Sequence, residues 1–176
     1  MKTIFTILLL LISSCIFSQI KFDYLKLENS QVIFERVFNL DSLKSSDIEK
    51  LLISNVSKVK DFRDFRKDGG IITGKIENAM IDIQKCGFKR MTAPVFLNGS
   101  FFCNVSIVWK DEKYKVTISN ILFSVPKWAE FTGTEIFAKK RGTEMKEQND
   151  KLIDSGKCLE NYLSELFAFS KGKNDW

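Results

Sequence analysis

Phe101-Phe102-Cys103-Asn104-Val105-Ser106-Ile107-Val108-Trp109, a break at Lys110-Asp111-Glu112-Lys113, and then Tyr114-Lys115-Val116-Thr117-Ile118 alternate apolar and mostly polar side chains on both sides of a short polar connection. A period of two places Phe101, Cys103, Val105, Ile107 and Trp109 on one face of a strand, and Tyr114, Val116 and Ile118 on one face of the next. The break has the length of a hairpin connection. The chain here is two antiparallel strands with one face buried, the first running from Val95 to Trp109 and the second from Tyr114 to Val125.

Upstream, Asp68-Gly69-Gly70 supplies a turn before a strand from Ile71 to Ile83. Ile72 and Ile76 share one face of that strand, and Ala79, Ile81 and Ile83 the other, so the phase slips once; a bulge near Glu77 and Asn78 produces such a slip. Before the turn, Ser46 and Glu49 form a capping-box pattern. Ile48, Leu51, Leu52, Val56, Val59 and Phe62 then recur at spacings of three and four, an amphipathic helix. Gln31 to Phe38, rich in β-formers, reads as the first strand. Downstream of Pro126, Lys127 to Gly133 follows neither period. A second helix begins between Thr143 and Asp150, with Leu152, Leu159, Leu163, Leu166 and Phe167 on its buried stripe and Gly156 as a weak point within it. The order is β-α-β-β-β-α. The simplest burial of these stripes is an α+β domain over residues 30–170, an antiparallel sheet of about four strands with two helices packed on one face.

Residues 1–18 carry Lys2, an apolar run from Ile4 to Ile12, and Ser13, Ser14 and Ser18 in the order of a secretory signal peptide. The apolar run is shorter than the roughly 20 residues that span a bilayer, so no transmembrane segment is expected in the mature chain. Cleavage after Ser18 is the preferred reading. The alternative is a lipid anchor at Cys15, because Ile12-Ser13-Ser14-Cys15 is a weak form of the bacterial lipoprotein motif. The expected location is periplasmic or secreted, with an outer-membrane lipoprotein as the alternative. Removing residues 1–18 leaves 26 basic and 22 acidic side chains, a net charge of +4, far from the dense basic footprint of a nucleic-acid binder. Three cysteines then remain, Cys86, Cys103 and Cys158, so at least one thiol is unpaired within the monomer. The alternation makes Cys103 a buried small hydrophobe.

The chain has no histidine. That excludes Ser-His-Asp and Cys-His catalysis and histidine-ligated zinc, and the cysteines lack C-x-x-C spacing, so no metal or cofactor is expected. Carboxylate chemistry needs two acids facing each other across a cleft. Asp111 with Glu112, and Asp61 with Asp64, read more simply as a solvated hairpin turn and a charged helix end. The expectation is a protein that is not an enzyme.

Val32-Ile33-Phe34-Glu35-Arg36-Val37-Phe38, Ser45-Ser46-Asp47-Ile48, Asp68-Gly69-Gly70-Ile71-Ile72-Thr73-Gly74 and Trp109-Lys110-Asp111-Glu112-Lys113-Tyr114-Lys115-Val116, in that order, resemble a domain of unknown function with a TATA-binding-protein-like (TBP-like) fold found in exported bacterial proteins. The resemblance covers roughly residues 30–125. It implies a helix packed on a curved antiparallel sheet and no activity. Nor does it imply DNA binding, which must be argued from a site.

Lys85, Lys89 and Arg90 make a small basic loop. Trp128, Phe131 and Phe137 followed by Lys139, Lys140 and Arg141 make a candidate ligand or partner surface, suited to an anionic lipid, a glycan or a protein of the cell envelope; the competing reading packs those aromatics back on the sheet. The function expected is a non-enzymatic binding or interaction module of the envelope. The alternative, prompted by 16 phenylalanines, is a carrier of an apolar or lipid-like ligand between sheet and helices.

Overall fold

The computed structural model describes residues 22–140, 142–146 and 149–170; the expected signal peptide over residues 1–18, with Cys15, and Arg141 lie outside them. In chain order come β1 (Leu25–Glu28), β2 (Gln31–Asn39), α1 (Ser45–Val56), β3 (Phe62–Asp68), β4 (Ile71–Ala79), a 3₁₀ turn (Val95–Asn98), β5 (Ser100–Lys110), β6 (Lys113–Val125), β7 (Ala129–Thr132), α2 (Gly133–Phe137), β8 (Ala138–Lys139), β9 (Glu144–Met145) and α3 (Asp150–Leu166).

The central hairpin is β5–β6, turning at Asp111-Glu112 with Lys110 opposite Lys113. The sheet is antiparallel and wider than the four strands expected: β1-β2-β6-β5-β4-β3, with β7 alongside β6. Because β5 takes one edge of β6 over most of its length, β2 and β7 divide the other, opposite residues 113–118 and 122–125. The phase slip in β4 is a bulge between Ile76 and Ala79, with Asn78 at a φ of +60°. β4 leaves the sheet at Ala79 rather than continuing to Ile83, although Ile81 and Ile83 are buried in the loop beyond it.

Besides the two-residue strands β8 and β9, three strands of this sheet were hidden in the sequence for separate reasons. β1 has four residues, joined to β2 by Asn29 and Ser30, both at positive φ, as two-residue hairpins require. β7 is also short, and none of its side chains is fully buried. β3 buries Phe62 alone and exposes six charged or aromatic side chains, so it shows no alternation. Charge on an edge strand discourages pairing with another chain. The spacing that carried the first helix on through Val59 to Phe62 is therefore a coincidence of burial: α1 stops at Val56, and Asp61 at a φ of +64° turns the chain into β3.

The expected Ser46–Glu49 capping box is absent. Lys44 holds the N-cap position without a side-chain cap bond, and the Ser45 N–H donates to Asp111 Oδ1 of the central hairpin at 2.7 Å. A carboxylate at a helix start satisfies a free amide and complements the dipole, so Asp111 has a structural task. A capping box does form at α2, between Thr132 and Glu135.

Ile48, Leu52 and Val56 of α1 and Leu159 and Leu163 of α3 are fully buried with Phe34, Phe101, Ile107, Val116 and Phe123 of the sheet. Tyr162 of α3 stands edge-on to Phe101. The opposite face of the sheet is uncovered, and register places a band of Arg66, Thr73, Ser106, Thr117 and Glu35 across five strands. Gly156 is not a weak point, since any Cβ there would collide with the ring of buried Phe22. One turn further on, Glu160, 1% exposed, accepts the N–H groups of Tyr24 and Leu25 at 2.5 and 2.6 Å. Those amides stand at the start of β1, the edge strand of the sheet. Replacing Glu160 by Ala leaves two buried donors unpaired and should lower stability by about 3 kcal/mol, with Glu160→Gln costing less; an unchanged urea midpoint for Glu160→Ala would show that this contact holds nothing.

Candidate functional site

The five described residues of the expected surface, Trp128, Phe131, Phe137, Lys139 and Lys140, do not form one site. Phe137 is completely buried, edge-on to Phe22 and Phe96 with ring centroids 5.9 Å away in each case. This corrects its assignment to a surface: the capping box at Thr132 fixes the start of α2, and the short helix turns Ile136 and Phe137 into the core. Phe131 is half-buried opposite Phe123. Lys139 and Lys140 lie on the β8–β9 hairpin, 3.8 and 3.9 Å from Glu144. Trp128 stands apart from them, beyond β7 and α2, in the turn between β6 and β7, and is 80% exposed.

That turn belongs to a connected set of loops at one end of the sheet. Trp128 donates its N–H to the Val125 carbonyl at 3.0 Å, closing a turn in which Lys127 has a φ of +66°. Val125 and Ser124 pack against Gly99, where a Cβ would come within 2.5 Å of the Ser124 carbonyl oxygen. Next to Gly99, the Asn98 side chain donates to the Arg90 carbonyl at 3.4 Å, and on its other side Ser100 Oγ reaches Asn78 Oδ1 at 2.7 Å and Met80 Sδ at 4.0 Å. The chain of contacts therefore joins Trp128, Val95–Gly99, Arg90–Met91 and Met80. Met80 is 60% exposed, Met91 99% and Val95 41%.

The loop that carries most of these residues, 80–99, is held firmly. Ile81, Ile83, Phe96 and Leu97 are buried, and Cys86 is disulfide-bonded to Cys158 of α3. Cys103 is the free cysteine among the described residues; burial pushes its thiol up, out of the reactive range. A cleft of about 320 Å³ opens between this loop and α3, walled by Met80, Lys85, Cys86, Tyr162 and Glu165. Burial, with the charge of Asp61 adding to it, holds the Tyr162 phenol up at about 12, so near neutral pH it offers a hydroxyl and not a phenolate. Lys85 and Glu165 face each other at 3.5 Å across this cleft. The cleft thus offers a ligand a phenol hydroxyl and an exposed ion pair.

The basic loop was legible in the sequence through Lys85, Lys89 and Arg90. Met80, Met91 and Val95 were not, because nothing in their spacing says whether a side chain turns in or out. The best signal was Met91 following directly on Lys89-Arg90.

No protein-family model and no curated protein sequence matches this chain. Two solved structures do resemble it. A DUF4468 family protein from Bacteroides ovatus ATCC 8483 superposes with a TM-score of 0.56 at 14% identity, over 86% of this chain and 94% of its own. A TBP-like protein from Parabacteroides distasonis ATCC 8503 gives 0.50 at 13% identity, over 81% of this chain and 94% of its own.

The fold is TBP-like.

At these identities the likeness carries architecture alone. In this TBP-like chain the disulfide closes 72 residues of sequence, and the loop-closure relation assigns such a bridge about 4 kcal/mol. The double substitution Cys86→Ser with Cys158→Ser should lower the thermal midpoint and, before global unfolding, open residues 80–99 to proteolysis. Limited digestion followed by mass spectrometry reads this out; cuts spread evenly through the domain would show that the bridge does not hold this loop in particular.

Proposed function

We propose that the chain is an exported, non-enzymatic domain that binds a component of the cell envelope through the loop end of its sheet, the end bearing Trp128 and Met91. The observation that carries this reading is the gathering of four exposed apolar side chains on connected, well-anchored loops. Single exposed apolar residues are ordinary on any surface, whereas several of them on neighbouring loops at one end of a sheet point to a contact region. A connection of 20 residues between two adjacent strands, ordered but with only a 3₁₀ turn of regular structure, is of the kind that carries function.

Export is supported by the order of residues 1–18, and the Cys86–Cys158 bridge suits an oxidising compartment. The proposed location is periplasmic or secreted, tethered if Cys15 is acylated. The phenylalanines that suggested an internal ligand cavity pack on one another instead: Phe101 and Phe96 both lie against Phe123, and Phe96 also against Phe137.

Intact mass of the protein from its own host should correspond to a chain beginning at Gln19; a mass that includes diacylglycerol on Cys15 selects the tethered form, and an unprocessed chain overturns export. A photo-crosslinking residue at position 128 or 91 should capture an envelope component, and one at Ile53 of α1 should not. Equal capture from all three positions, or turnover of a substrate panel by the purified protein with no capture, overturns the binding role.

A further inference from the structure

Beyond their exposure, the loops at the Trp128 end differ from the rest of the protein in charge. Residues 80–99 and 126–128 contain Lys85, Lys89, Arg90 and Lys127 against the single acid Asp82, an excess of three positive charges within 23 residues. All four cations are exposed. Lys85 faces Glu165 of α3, and no acid among the described residues pairs with Lys89, Arg90 or Lys127 in the geometry of a salt bridge. The opposite end of the sheet is unlike this. There the connection Lys110-Asp111-Glu112-Lys113 balances its charges, and Asp111 and Glu112 are bonded to Ser45, Leu40 and Leu43.

We infer that this end of the sheet is a membrane-docking tip, in which Trp128 and Met91 enter the headgroup region of an anionic bilayer while Lys89, Arg90 and Lys127 contact its phosphates. The inference rests on the binding role proposed above and names the partner. Three observations favour a lipid surface over a protein. First, Met91 at 99% and Trp128 at 80% exposure touch almost nothing of their own domain. A protein-binding hot spot is typically a side chain seated in a packed patch, whereas an isolated tip gains by entering a soft apolar medium. Second, tryptophan is the side chain best matched to the bilayer interface, with an apolar body and one N–H donor. Third, each exposed tip stands next to a cation in sequence, Lys127 before Trp128 and Arg90 before Met91, so insertion and phosphate contact occur together. Away from this end, where Met80 and Val95 are also exposed, the exposed large apolar side chains Val37, Ile53, Phe65 and Val108 reach only 36–50% and lie on the uncovered sheet face, on α1 and on the edge strand β3.

The anchoring described above gives this tip a fixed shape. Lys127 holds a left-handed backbone that a lysine rarely adopts, directly after Pro126, and this conformation directs the turn from β6 into β7. Insertion would be shallow, a few side chains deep, since no helix among the described residues is long and apolar enough to cross a membrane.

The test is sedimentation of the mature, unacylated chain with vesicles of phosphatidylglycerol and phosphatidylethanolamine, set against vesicles of phosphatidylcholine alone. Binding to the anionic vesicles should weaken as salt rises. Each of Lys89→Gln, Arg90→Gln and Lys127→Gln should reduce it about fivefold, and Trp128→Ser with Met91→Ser by at least about tenfold. Both tip side chains are exposed, so the circular dichroism and melting temperature of that double variant should match the parent. In the parent, brominated lipid should quench tryptophan emission in a component that Trp128→Phe removes. Equal affinity for the two vesicle types, or binding unaffected by the tip substitutions, overturns the inference. If position 128 crosslinks to an envelope protein and no vesicle binding occurs, the membrane assignment fails and the binding role stands; if neither occurs, both fail.

Discussion

Every layer of this domain is arranged around β6, which must be hydrogen-bonded along both edges while burying only one face. Thirteen residues long, it exceeds any partner on its outer side, so β2 pairs with its first half and β7 with its last four residues. That division brings the N-terminal hairpin and the β7–α2 segment to the same edge, where Val32 N–H reaches the Thr134 hydroxyl at 3.0 Å. The buried face of β6 also anchors the chain's far end. The Tyr114 hydroxyl donates to the Phe167 carbonyl at 2.6 Å and accepts the Phe169 N–H at 2.9 Å, with burial holding the phenol up at about 12. A phenol fixed in its neutral form can do both at once, so the end of α3 is tied to the start of β6, just past the turn of the central hairpin.

What the sequence disclosed follows from how much of each element is buried. β5 and β6 alternate because one face is wholly inside and the other wet, and both strands were legible in order, although the first begins at Ser100, after the 3₁₀ turn Val95–Asn98, and not at Val95 as expected. The β4 bulge was legible because one slip moves every later apolar residue to the other face. β3 could not be read, since an edge strand with one buried side chain carries no period; nor could β1 and β7, too short for a period to show. The candidate surface failed at Phe137 for a related reason. Aromatic residues beside cations look alike whether they pack inward or outward, and only the Thr132–Glu135 cap, which fixes where α2 begins, decides the direction. Trp128, one residue outside the β6–β7 ladder, had no such cap to turn it in.

The carboxylates show the same dependence on context. Asp111 lies in a hairpin turn and reads as solvated, yet it caps α1 from 66 residues away in sequence. Glu160 falls on the last helix, where an acid is unremarkable in sequence, yet it is buried and occupied by two backbone amides of the first strand. Both acids are thus engaged in closing the fold.

A rigid end and a polar open face have different consequences for binding. The open face presents a band of hydroxyls between Arg66 and Glu35 that water satisfies at no cost, so burying it gains little unless a partner replaces each bond. The loop end is the reverse. Its apolar side chains are poorly satisfied by water, and its backbone is already ordered by the disulfide, by buried Phe96 and Leu97, and by the close approach of Gly99 to β6. The entropy of ordering a 20-residue loop is lost when the protein folds and need not be lost again on association. A surface that gains from dehydration and loses little order is where weak contacts add up to useful affinity, and in this molecule those two conditions meet at the Trp128 end.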